Sequence, residues 1–288
     1  MGARMSHSPT VRRRRLSLAL LQFRDAAGLN SKEAAKQLGW QPSKLTRIER
    51  NEWRKPTIGD VMDMLDLYGV KDERTRTAMT QLVRESNRRG WWEEEFQGIL
   101  GGALVGLEWE AAEINSFEIV VVPGLLQTEA YAAAVFRGGR VLREEEITRR
   151  VAARLARQRI LTREDPPSLA VVIDEAALRK HVGGHTVMRD QLQHLRQLAE
   201  APNISLQVLP DAVGAHASME GNFTILNYRA PKDDPSIVYV GIGVAGDLYL
   251  EQPEDVAHYR EMYGYLRASA LSAVDSVSYI EELIRHLK

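Results

Sequence analysis

The chain has 288 residues, 44% of them apolar and 27% charged, which is ordinary for a globular protein and long enough for two domains with separate cores. It contains no cysteine, which excludes disulfides, thiolate metal sites and cysteine nucleophiles and fits a reducing interior. Its net charge of −1 conceals an asymmetry: residues 1–90 carry 19 Lys+Arg against 10 Asp+Glu, and residues 91–288 carry 19 against 29. A basic first segment is the footprint of a polyanion binder, whereas the acidic remainder repels nucleic acid and calls for a different partner. The apolar run Leu16 to Leu21 is far short of the ~20 residues that span a bilayer, so no membrane is expected among the partners.

In chain order, Arg12, Arg13, Arg14 and Arg15 form a basic run read as phosphate contacts at a groove edge. A first helix is predicted from Leu16 to Ala27, ended by Gly28. Ser31 to Arg50 then reads as a helix-turn-helix. Ser31 is a capping residue type, and Ala34, Ala35 and Leu38 give the next helix an apolar face. Gly39 breaks that helix as a left-handed glycine would, and Pro42 suits the first turn of another. Ala35, Gly39, Leu45 and Ile48 are the packing positions of the pair. With Leu45 and Ile48 inward, Gln41, Ser43, Lys44, Thr46 and Arg47 are the candidate base-reading residues. Lys32, Arg50, Arg54 and Lys55 flank them as further phosphate contacts. A fourth helix starts at Pro56-Thr57, and a fifth runs from about Asp72 to Asn87.

The tryptophan pair Trp91-Trp92 marks a boundary and reads as an anchor of one domain on the next, with a ligand platform as the alternative. Beyond it the pattern mixes helix and strand. Val105 to Ile114 is predicted helical, Phe117 to Val122 a buried strand stopped by Pro123-Gly124, and Gln127 to Phe136 a helix. Glu144 to Thr162 reads as one long helix, its arginines paired at i,i+4 (Glu145 with Arg149, Glu146 with Arg150) on a solvated face. Leu169 to Ile173 and Ile204 to Leu209 are strands; Asp174 caps one helix and Val187 to Ala199 forms another. Phe223 to Tyr228, Ile237 to Ile242 and Asp247 to Glu251 form a meander, the last two joined by a tight turn at Gly243 to Gly246. A helix opens at Pro253, and Ser272 with Asp275 starts the last one. The expected fold is therefore α+β and multidomain. An all-α, five-helix helix-turn-helix domain occupies 1–90, and a mixed α/β domain with about five or six strands flanked by helices occupies 91–288.

Leu20-Leu21-Gln22-Phe23-Arg24, Ala27-Gly28-Leu29, Leu38-Gly39-Trp40, Ser43 to Glu49 and Asp66 to Val70 resemble the XRE family of DNA-binding regulators, of the Cro and phage-repressor type. Gln41 departs from the Ser or Asp usual before the proline and is a weak cap. Val105 to Glu108, Phe117-Glu118, the string Val122-Pro-Gly-Leu-Leu-Gln-Thr-Glu129, Asp174 to Leu178, Gln191 to Leu195 and Val208-Leu209-Pro210 resemble the C-terminal domain of unknown function in WhiJ-like actinobacterial regulators. The resemblance spans Leu16 to Leu287 and implies a bacterial cytoplasmic transcription regulator, commonly paired with a small acidic partner protein from a neighbouring gene in an antitoxin-like arrangement. For this type a homodimer on double-stranded DNA is the expectation.

No catalytic constellation emerges, and neither a cofactor nor a metal is expected. The histidines His7, His181, His185, His194, His216, His258 and His286 are scattered. His181 and His185 have helical metal-pair spacing, but Gly183-Gly184 intervene. The expectation is a non-enzymatic regulator whose second domain dimerises or binds an effector or partner protein. The alternative, from another class, is a DNA-binding module fused to a catalytic α/β domain.

Overall fold

A computed structural model describes residues 8–53, 55–100, 103–242 and 246–287. The predicted phosphate contact at Arg54 and the turn residues 243–245 lie outside the described residues. The chain divides into two compact units, residues 1–94 with 230–234, and residues 95–229 with 235–288.

The first unit is helical: α1 (Pro9–Ala26), α2 (Ser31–Gln37), α3 (Pro42–Glu49), α4 (Ile58–Leu67) and α5 (Glu73–Ser86), followed by the short α6 (Trp91–Glu95) at the division. The first helix begins at Pro9, seven residues before the predicted Leu16. Ser8 caps it, its Oγ accepting the Val11 N–H at 3.5 Å, and Pro9 takes the first helical position, where a missing N–H costs nothing. The arginines 12–15 therefore belong to the helix instead of preceding it. Leu16 and Leu20 of α1, Leu45 and Ile48 of α3, Leu65 of α4 and Val83 of α5 meet in one core.

One ion pair is sunk beside that core. Arg24 Nε lies 2.5 Å from Glu49 Oε1, its Nη2 lies 3.3 Å from Oε2, and Nη1 donates to the Leu29 carbonyl at 2.6 Å. Burial by itself would lower the Arg24 pKa; hydrogen bonding and charge from Glu49, with Asp25 beside it, outweigh burial and raise it. The pair ties the end of α1 to the end of α3.

The second unit carries α7 (Leu104–Glu110), β1 (Glu113–Glu118), α8 (Glu129–Gly138), α9 (Glu144–Arg157), β2 (Ser168–Asp174), α10 (Glu175–Arg179), α11 (His185–Leu198), β3 (Ile204–Leu209), β4 (Phe223–Asn227), β5 (Ile237–Gly241), β6 (Asp247–Leu250), α12 (Pro253–Ser269) and α13 (Ala273–His286). The strands form a six-stranded sheet in the order β3-β2-β1-β4-β5-β6. β1, β2 and β3 are parallel, with helical crossovers between them; β4 to β6 run antiparallel as the predicted meander. Phe117 packs on one face with Phe223, Val256 and Tyr263, so α12 covers that side. Ser116 and Glu118, one step along the pleat, belong to the other face.

Three expectations are corrected here. The helix predicted over Val105 to Ile114 stops at Glu110, because Ala111 is already extended, and Ile114 lies in β1. The strand predicted over Phe117 to Val122 is Glu113–Glu118 instead: beyond it the backbone leaves the ladder, the Val122 N–H bonding the Tyr131 hydroxyl at 3.2 Å and its carbonyl taking Gln127 Nε2 at 2.7 Å. The helix over Glu144 to Thr162 ends at Arg157 and tightens into a 3-10 turn over Gln158–Thr162.

The arginine face of α9 also differs from the solvated reading. Arg150 does pair with Glu146 at 2.8 Å near solvent. Arg157, however, grips the buried Glu108 through two hydrogen bonds of 2.6 Å. Glu118 faces the same region, and burial, stronger than the Ser116 hydrogen bond and the attraction of Arg157 and Arg154, pushes its carboxyl up to about 7.

Two outcomes follow from these charges. Arg24→Ala leaves Glu49 buried without its partner and should cost about 3–5 kcal/mol, whereas the double change Arg24→Met with Glu49→Met should recover most of it; urea unfolding followed by helix signal checks both, and a single variant as stable as the parent would contradict the coupling. Because the folded pKa of Glu118 is raised, its contribution is full below the ordinary carboxylate pKa and is lost as pH rises towards about 7. Glu118→Gln should therefore be near neutral at acidic pH and stabilise by about 2 kcal/mol above neutrality, compared by denaturant titration at the two extremes.

Candidate nucleic-acid interface

The candidate interface is the α2–turn–α3 pair. Asn30, one residue before the predicted Ser31, caps α2: its Oδ1 accepts the Glu33 N–H at 2.9 Å, while Glu33 Oε2 accepts the Asn30 N–H at 3.0 Å. This reciprocal pair satisfies two orphan donors at once. Ala34 and Ala35 are fully buried, leaving room for α3 to approach. Gly39 closes the helix at φ +68, a conformation that a side chain would strain. The Trp40 N–H then reaches back to the Ala35 carbonyl at 2.8 Å, and the chain turns.

Pro42 opens α3 and Gln41 precedes it without a side-chain cap bond. Leu45 and Ile48 are buried, which fixes the rotation of the helix. Gln41, Ser43 and Arg47 are exposed, and Lys44 and Thr46 are half-exposed. Thr46 donates its hydroxyl to the Pro42 carbonyl at 3.0 Å, and Arg47 Nε donates to the Ser43 carbonyl at 3.3 Å. Lys44 is held more firmly: its Nζ lies 2.6 Å from Asp60 Oδ1 and 3.8 Å from the centre of the Trp40 ring. Lys44, Arg47, Lys55 and Asp60 border a concavity of about 330 Å³ beside the helix. Neither Asp60 nor Trp40 is among the DNA-contacting residues expected from the sequence. Asp60 lies 16 residues from Lys44, beyond any helical periodicity that could have linked them.

The predicted phosphate contacts fall into two groups. Lys32, Arg50 and Lys55 are exposed. The run at 12–15 is not the solvated basic edge that its composition suggests. Arg12 is buried with Nε 3.2 Å from Glu85, and Arg14 is buried as well. Arg13 Nε donates to Asn51 Oδ1 at 3.3 Å, and Arg15 Nε donates to Asp234 at 3.0 Å. Inside α1 the four side chains are spread round the helix, and protein buries Arg12 and Arg14 and half-buries Arg13 and Arg15.

In the second unit, Asp174 caps α10 as expected, its Oδ1 accepting the Ala176 N–H at 2.8 Å. The fold brings His216 to it, with Nε2 3.6 Å from Asp174 Oδ2, while His216 Nδ1 accepts the Ser218 N–H at 3.2 Å. Glu175 accepts the Asp211 N–H at 2.9 Å and pairs with Arg179; against the effect of burial, bonds from Tyr279, Asp211 and Arg179 hold its carboxyl below the ordinary range. His181 and His185 come together at 4.4 Å between ring centres, but His181 lies beyond α10 and His185 opens α11, so they are not a pair on one helix.

Compared with known proteins, residues 15–78 match the family model described as "Helix-turn-helix domain". Residues 102–282, more than half of the chain, match the one described as "Domain of unknown function (DUF5753)". No curated protein matches the chain, and no solved structure does. Among the described residues no helix is long and apolar enough to cross a membrane.

The Lys44–Asp60 pair generates a prediction. Asp60→Asn frees Lys44 and removes a negative charge from the concavity. Affinity for duplex DNA should rise about threefold to tenfold at low salt, with the gain shrinking as salt is added. Fluorescence anisotropy across a salt series checks it, and an unchanged or lower affinity would mean that Asp60 does not restrain Lys44.

Proposed function

From a chain that belongs to the DUF5753 family and carries the helix-turn-helix domain of a DNA-binding regulator, we propose a transcription regulator of the XRE type, in which α3 lies in the major groove. The observation that carries this reading is the rotation of α3: Leu45 and Ile48 are locked in the core, so Gln41, Ser43 and Arg47 face outward. Ser43 and Lys44 stand in the first turn of the helix, where base edges are reached. The planar fork of Arg47, one turn on, matches guanine O6 and N7. Thr46 contributes beside them. Lys32, Arg50 and Lys55 supply phosphate contacts that set register. Arg13, half-buried, adds to the same field.

Two such domains on a near-palindrome make a homodimer the working assembly. The acidic second segment, with 19 Lys+Arg against 29 Asp+Glu, is repelled by DNA and serves to bind an effector or a small partner protein, in an antitoxin-like, WhiJ-like regulator without turnover of its own. The Asp174, Glu175 and His216 cluster is engaged in capping and ion pairing, which supports a structural role for it.

Binding-site selection with variants tests the reading. Lys44→Ala and Arg47→Ala should each cost about 1–3 kcal/mol on the selected site and relax preference at one position. Arg50→Ala should weaken all sequences alike and reduce the salt slope by about one. A consensus unchanged by both Lys44→Ala and Arg47→Ala would remove α3 from base reading and assign specificity to DNA shape.

A further inference from the structure

The second unit carries a half-open cavity of about 180 Å³ whose lining includes Arg150, Arg154, Arg157, Leu104, Phe136 and Asp247. The arginines recur at steps of four and three, so α9 presents all of them on one face. Two have their own carboxylates: Arg150 has Glu146 at 2.8 Å, and Arg157 has Glu108 at 2.6 Å. Asp247, the acid in the lining, accepts the Tyr239 hydroxyl at 2.9 Å. Arg154 differs. Its Nη1 donates to the amide oxygen of Gln127 at 2.8 Å, and its guanidinium lies 4.5 Å over the Phe136 ring. Among the described residues it has no ion pair.

The support behind Arg154 is built. Gln127 is buried, its Nε2 donates to the Val122 carbonyl at 2.7 Å, and its own carbonyl accepts Gln158 Nε2 at 2.8 Å. A buried amide of this kind orients a guanidinium without neutralising it. Arg154 therefore keeps a positive charge in a desolvated place, and burial, with the like charges of Arg157 and Arg150, outweighs the pull of Glu118 and lowers its pKa to about 10. A cation under these conditions is stabilised by an anion with fork geometry.

We infer that this cavity binds a small carboxylate with a short apolar body, the carboxylate on Arg154 and the body against Leu104 and Phe136. At about 180 Å³ it is smaller than the ~300 Å³ at which drug-sized pockets begin, which limits the body to a few carbons. Calling the ligand an effector rests on the regulator reading above; the site itself does not.

The test uses the full chain with hexanoate as probe, and hexanol, hexylammonium and inorganic phosphate at matched ionic strength beside it, read by calorimetry and thermal unfolding. Hexanoate should bind saturably, and hexanol and hexylammonium should not. Phosphate binding as tightly as hexanoate would overturn the apolar half of the site. Arg154→Gln should weaken hexanoate by about tenfold or more. Leu104→Trp, which fills the apolar wall and keeps every arginine, should do the same, and it decides the matter if Arg154→Gln fails to fold. Hexanoate binding unaffected by a folded variant of either kind would overturn the site, as would no saturable response in the parent. Duplex DNA binding is measured on the same samples. A parent that binds DNA but not hexanoate loses the pocket and keeps the regulator reading; one that binds hexanoate but not DNA keeps the pocket and loses its role as an effector site.

Discussion

A guanidinium removed from water is strongly stabilised by a carboxylate beside it, and the Arg24–Glu49 pair supplies one where α1 and α3 end. α3 can present one face only if its rotation and tilt are held. Leu45 and Ile48 hold the rotation by burial, and Arg24 holds the far end through Glu49 and the Leu29 carbonyl. At the near end the constraint is backbone geometry: Gly39 in the left-handed region followed by Pro42 at the first helical position. Local stereochemistry thus starts α3, and a buried ion pair finishes it.

The second unit repeats the device with different parts. Glu108 and Arg157 tie α7 to α9, and side-chain amides do the rest. The Pro123 to Glu129 string contains little regular structure beyond one 3-10 turn at Gly124–Leu126. Gln127, Gln158 and Gln191 satisfy its backbone: Gln191 accepts the Thr128 N–H and donates to the Leu126 carbonyl, both at 2.7 Å, and Gln158 donates to the Gly124 carbonyl at 3.0 Å. A buried loop needs such partners for its polar groups, which gives the string a physical reason for its glutamine. The same glutamine positions Arg154, so the loop that supports the fold also sets the cavity wall.

Charge is used in two opposite ways along the chain. On α3 and its flanks, Lys32, Arg47, Arg50 and Lys55 stay in or near water, where a positive field extends towards a polyanion. Along α1 and at the end of α9, arginines turn inward, Arg12 to Glu85, Arg15 to Asp234 and Arg157 to Glu108. Composition does not distinguish these uses, since an arginine counts the same in both.

What the sequence determined by itself was whatever depends on neighbouring residues. The left-handed Gly39, Pro42 at the start of α3, the inward Leu45 and Ile48, the caps at Asp174 and Ser272, and the mixed sheet were legible because turn chemistry, capping and periodicity act over a few residues. Even the early start of α1 was written locally, in Ser8-Pro9. Only the tertiary structure decided which charges are buried and with whom. Lys44 and Asp60 are 16 residues apart, Arg24 and Glu49 are 25, Arg157 and Glu108 are 49. It also decided that Ile119 to Val122, β-branched and apolar, leave the ladder, because side chains at Gln127 and Tyr131 supply competing partners for the Val122 backbone. A charged or apolar side chain carries its chemistry in the sequence, but its solvation and its partners are set by what packs over it, and that comes from distant parts of the chain.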